Sequence, residues 1–167
     1  MTKRSFRHRL RAFQQIHGGT PDSGFIADLE YLENRDLDLS VRMGAMLAFN
    51  ALLITIGTHP VSASPGAPLS LDVVSHPAAT IASLIGIVPF VLACGTVLRG
   101  LLLGEEFDVE GAADCTPDAL RTRLLAAFVR SIDVQTGLLR RAVILTFVGG
   151  ALTAAVWVWI LASKLAG

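Results

Sequence analysis

Charge is scarce in this chain, and so are lysine and cysteine. Only 17% of the 167 residues are charged while 52% are apolar, whereas an average soluble domain carries about 25% charge. The 14 Lys+Arg and 14 Asp+Glu cancel to a net charge of zero, which removes the basic excess that a nucleic-acid-binding domain relies on. Two cysteines are too few for a disulfide-stapled secreted domain, and the apolar content is too high for a disordered chain. The length suits one domain.

Motifs that carry chemistry are missing as well. There is no GxSxG, HExxH, P-loop or GxGxxG pattern. His59, Asp72 and His76 are spaced 13 and 4 residues apart, which fits no metal-ligand pattern. The acidic run Glu105, Glu106, Asp108, Glu110 and Asp114 lacks the spacing of a calcium loop. Cys94 falls in an apolar run and Cys115 in a loop on the reducing side, so no disulfide is expected. These absences lead to the expectation of a non-enzymatic protein with no catalytic, cofactor or metal site.

What the chain has instead is uninterrupted apolar sequence. Residues 43–71, 73–98 and 142–163 hold no charged side chain, and a run of 18 or more apolar residues is the signature of a membrane span. Gly57, Pro60, Pro65 and Pro68 break the first run, which leaves spans of about 41–57, 78–98 and 142–163. At about 1.5 Å per residue, a helix of 20 residues or so crosses a hydrocarbon core of about 30 Å.

Basic residues set the expected orientation. Lys3, Arg4, Arg7, Arg9, Arg11, Arg35 and Arg42 precede the first span, and Arg99, Arg121, Arg123, Arg130, Arg140 and Arg141 lie between the second and third. The loop of residues 58–76 has neither Lys nor Arg. The positive-inside rule then places the N-terminus and the long second loop in the cytoplasm and the C-terminus outside. Trp157 and Trp159 fall at the outer interface as anchors, with Lys164 free to snorkel. Twelve arginines against two lysines suggest a GC-rich bacterial genome and hence the bacterial inner membrane.

The N-terminal segment has no apolar h-region or small-residue cleavage site ahead of the first span, so it does not read as a signal peptide. Residues 1–19 form a basic amphipathic arm instead. Phe6, Leu10, Phe13 and Ile16 repeat at helical spacing among Lys3, Arg4, Arg7, Arg9 and Arg11, a pattern suited to an anionic inner leaflet. Residues 20–167 make up the membrane domain.

Two helix starts repeat. Thr20-Pro21-Asp22 and Thr116-Pro117-Asp118 each offer an N-cap, a proline at the first helical position and an acid near the positive end of the helix dipole. Without a strong breaker before the following span, the expected helices run from about 21 to 57 and from about 117 to 163. The predicted fold is therefore an all-α integral membrane protein of three transmembrane helices, the first and third extended into the cytoplasm as a stalk. The neutral total hides opposed blocks there: residues 20–42 carry −4 and residues 119–141 carry +4.

Packing residues are the remaining candidates. Thr146, Gly150 and Ala154 lie four apart on the third span with Gly149 and Thr153 beside them, and Gly44 and Ala48 make a shorter small-residue face on the first. Asn50 is the most polar group expected at depth, and such an amide hydrogen-bonds across a helix interface, within the chain or to another subunit. Pro89 is expected to kink the second span or free a carbonyl there.

Residues 35–54, with Arg42, Gly44, Phe49 and Asn50 preceding and entering a Leu-rich span, resemble the start of the transmembrane effector domain of the Pycsar antiphage systems. Residues 124–154 are similar in layout to its closing helix, and Ser40 stands where the family pattern has an acid. The resemblance implies an inner-membrane effector that oligomerises when activated and impairs membrane integrity, its partners being the bilayer, further copies and a nucleotide-sensing protein. About 40 residues ahead of the first span leave no room for the family's nucleotide-binding domain, so the expectation is a sensorless member or one that takes its signal from another chain through the cytoplasmic helices. The second expectation is a membrane anchor or accessory subunit whose cytoplasmic helices dock a partner. Asn50→Leu is expected to impair the first and spare the second.

Overall fold

The computed structural model describes residues 23–64, 66–67, 69–71, 74, 76–102 and 116–166. Four helices make up the described structure: α1 Ser23–Gly57, α2 His59–Ser62, α3 Pro77–Leu102 and α4 Pro117–Ala166. Among the described residues there is no strand. Three helices, α1, α3 and α4, are long and apolar enough to cross a membrane. The fold class expected from the apolar runs is seen at this level, and the long first and third helices begin and end within a few residues of the expected bounds.

Local sequence accounts for these limits. α1 stops at Gly57, where the amide of Thr58 still bonds the Ile54 carbonyl at 2.9 Å, and Pro60 then enters the one-turn α2. α4 opens with Pro117, needing no amide of its own, and Asp118 stands in the first turn where the helix dipole favours an acid. Pro89 lies inside α3, buried, and the helix continues through it for 13 more residues.

The chain divides into two compact units. The first comprises Met1–Arg42 with Gly100–Gly137 and the second Met43–Arg99 with Leu138–Gly167. α1 and α4 each contribute to both. In the first unit the core is Phe25, Leu29, Leu120, Leu124 and Phe128, with Leu32 and Leu125 against it, and the Arg121 guanidinium sits 5.0 Å from the Phe25 ring centroid. Such a cation–π contact adds about 0.5–1 kcal/mol at a partly exposed site. In the second unit Met43, Ala93, Val97 and Ala142 form the core, packed by Met46, Leu47, Leu139 and Leu145.

One stripe on α1 supplies both cores. Phe25, Leu29, Leu32, Asp36, Leu39, Met43, Met46 and Asn50 follow one another at alternating steps of four and three, the heptad spacing that keeps one helix face against its neighbours. Outside that stripe the second unit turns Phe49, Leu52, Ile81, Val91, Phe147 and Val158 outward, each more than half exposed. An apolar surface of this kind is stable in lipid and costly in water.

Candidate functional site

Asn50 decides how the second unit is held. It is 0% exposed; its Oδ1 accepts from the Thr146 hydroxyl at 2.8 Å and its Nδ2 donates to the Met46 carbonyl at 2.9 Å. The Thr146 hydroxyl also lies 2.9 Å from the Ala142 carbonyl, so its single proton is shared between the two acceptors. The partner left open by the sequence is, in this chain, the intramolecular Thr146. Asn50→Leu therefore tests the chain's own helix packing: it is expected to lower stability in detergent by about 0.5–2 kcal/mol, read as the midpoint of denaturation, with Thr146→Val costing a similar amount and the pair less than the sum. Additive losses would count against the bond.

Three glycines allow the helices their close approach, Gly57, Gly86 and Gly149, of which only Gly149 stands beside an expected face. A Cβ on Gly149 would lie 2.7 Å from Cε1 of the buried Phe90 ring. One on Gly57 would lie 3.1 Å from Ile87 Cγ1, and one on Gly86 would lie 3.4 Å from Thr153 Oγ1 and 3.7 Å from the Thr153 Cα. By contrast, Gly44 and Gly150 have nothing within 4 Å of an added Cβ, and Ala48 and Ala154 are exposed. Within this chain the packing face of α4 holds Thr146, Gly149 and Thr153, one residue out of phase with Gly150 and Ala154. Successive residues differ by about 100° around a helix, so a shift of one residue moves a stripe from the seam toward its flank.

The three expected interface anchors have separate fates. Trp159 is about half exposed. Trp157 turns inward, its Nε1 buried and without a partner among the described residues, one turn beyond Thr153 Oγ1, which likewise has none there. The Lys164 ammonium donates to the Ser70 carbonyl at 2.8 Å and the Ala67 carbonyl at 3.2 Å, holding the loop whose Leu71 amide bonds the Pro60 carbonyl. Lys164 is a loop clamp, not the free snorkelling group expected. Ser83 adds a further tie by donating to the Gly57 carbonyl at 3.3 Å.

The first unit carries a polar layer that periodicity alone had assigned to no site. Asp36 is 4% exposed and Gln135 3%, and among the described residues Asp36 Oδ1 and Gln135 Oε1 both lack a hydrogen-bond partner. Each stands seven residues beyond a member of one cluster, Asp36 after Leu29 and Gln135 after Phe128. Two parallel helices that meet at Leu29 and Phe128 bring their next heptad positions to one level, since seven residues rise about 10.5 Å on either. Two acceptors therefore share a buried layer.

Charge on the outer faces of this unit is uneven. The ion pairs Arg42–Asp38 at 3.0 Å, Arg35–Asp38 at 3.9 Å and Arg121–Asp118 at 3.9 Å each stay within one helix, and exposed pairs of this kind contribute about 0–1 kcal/mol. Glu30 and Arg130 are exposed and, among the described residues, take part in no ion pair. On α4 the described residues Thr122, Leu125, Ala126, Val129, Arg130, Asp133 and Val134 line an open groove of about 570 Å³.

No family model, curated protein or solved structure matches this chain. Among the described residues no group of three His, Cys, Asp or Glu side chains could hold a metal ion. The arm residues Lys3, Arg4, Arg7, Arg9 and Arg11 lie outside the described residues, as do Cys115, Asp72 and the acidic run 105–114.

Proposed function

We propose that this is a non-enzymatic integral protein of the bacterial inner membrane that works by assembling with further copies of itself, an effector of the kind its first span resembles. In this reading the first unit is a cytoplasmic stalk, the basic arm lies on the inner leaflet, and the C-terminus faces the periplasm. The observation that carries it is the outward surface of α1 and α4 in the first unit. There Tyr31, Leu37, Val129 and Val134 are all exposed, among charged residues and beyond the expected spans. Apolar side chains on a water-facing helix pair call for a cover, and two helices that continue unbroken into α1 and α4 of the second unit couple that cover to the bilayer.

The resemblance supplies the consequence, loss of membrane integrity on assembly. Induced expression is then expected to depolarise cells, and purified protein to release dye from phosphatidylethanolamine–phosphatidylglycerol vesicles. Unchanged membrane potential together with tight vesicles at high protein-to-lipid ratio would sink the effector reading. Recovery of a stoichiometric second protein by cross-linking from such membranes would favour an anchor that docks a partner.

A further inference from the structure

The exposed flanks of the stalk have a geometry that fits a second copy of this chain. Leu29 and Phe128 belong to one cluster, so Glu30 on α1 and Arg130 on α4 stand at nearly the same height, yet among the described residues they form no ion pair. Both are exposed and lie outside the buried stripe of their own helix. Two copies in one bilayer share its normal and its direction, so residues at one height in the first copy meet residues at that height in the second. Charge follows the same division, residues 20–42 carrying −4 and residues 119–141 carrying +4.

We infer that the α4 groove is the seat for the outward face of α1 from a second copy, with Glu30 of one chain paired to Arg130 of the other and Leu37 over Val134. The α1 side brings an exposed acid and an exposed leucine two turns apart; the α4 side brings an unpaired guanidinium and an exposed valine one turn apart. Gly137, one turn beyond Val134, has nothing within 4 Å of an added Cβ, so the leucine has open surface between Val134 and Gly137, and the long Arg130 side chain takes up the remaining offset to Glu30. Asp133 also lines the groove, so the attraction centres on Arg130 and its helix's basic excess rather than on a uniformly positive surface. An opposed-charge contact of this sort steers and aligns association, and it weakens as salt screens it.

The inference rests on the self-association reading above and names its surface. The test uses full-length chains carrying donor or acceptor dyes, co-reconstituted in phosphatidylethanolamine–phosphatidylglycerol vesicles. Glu30→Arg and Arg130→Glu are each expected to weaken energy transfer by about tenfold in apparent association constant, and the two together in one chain to restore it to within about threefold. Transfer that persists in both single variants overturns this surface and leaves self-association standing; absence of transfer in the wild-type chain defeats the assembly reading itself. A second measurement does not depend on charge-reversed chains. In a background with Cys94→Ser and Cys115→Ser, chains carrying Glu30→Cys and chains carrying Arg130→Cys are expected to form a disulfide when mixed, and formation of only like-with-like disulfides overturns the pairing.

Discussion

Gly149→Ala is expected to destabilise the apolar unit by about 1–3 kcal/mol, although it adds a single methyl group. The added carbon would stand 2.7, 2.9 and 3.0 Å from three atoms of the Phe90 ring. That ring is 1% exposed and has no lipid-facing space to swing into, so relief requires α3 and α4 to separate. Separation sacrifices the contacts on both sides of the seam, where Gly86 meets Thr153. Gly150→Ala, one residue away, is expected to change stability by less than about 0.5 kcal/mol, because nothing lies within 4 Å of its added Cβ. The measurement is denaturation of the purified protein in mixed micelles, followed by circular dichroism. Phe90→Leu supplies the control: it opens space in front of Gly149, so the double variant should lose less than the two single losses combined. Equal effects at Gly149 and Gly150 would mean that α3 and α4 do not meet face to face here.

The same pair of glycines marks the boundary of what the sequence makes legible. Helix limits are readable because they depend on local chemistry: charge-free runs set the spans, Gly57 and Pro60 end the first, and Pro117 opens the last. Phase is harder, because the doublets Gly149-Gly150 and Thr153-Ala154 offer small residues on two faces. The buried positions Leu138 and Ala142 continue at heptad steps to Gly149, and that periodicity was the available signal. The partner of Asn50 is 96 residues away, and no local pattern specifies a contact at that separation. Asp36 was hidden differently. It lies among Asp28, Glu30, Glu33 and Asp38, and an acidic helix segment reads as solvated; only its place between Leu29 and Met43 on the heptad stripe marks it as inward.

That layer has the other large expected effect. Replacing Asp36 and Gln135 together by leucine is expected to raise the stability of the chain by on the order of 2 kcal/mol, because each unsatisfied buried acceptor costs about 1–3 kcal/mol. Asp36→Leu alone should gain less, since Gln135 Oε1 remains buried without a donor. Asp36→Asn should fall between the two, for its amide can donate where the carboxylate only accepts. A polar layer that lowers stability has a use in a heptad pair: it fixes register, because a slip by seven residues would set each polar side chain against apolar neighbours such as Leu29 or Phe128. The double leucine variant should therefore be harder to unfold and less exact in the alignment of α1 with α4. Cross-linking through cysteines at Leu32 and Ser131, compared with cysteines at Leu32 and Leu124, reads that alignment. A double variant that melts earlier than wild type would instead mean that a donor reaches these oxygens from outside the described residues.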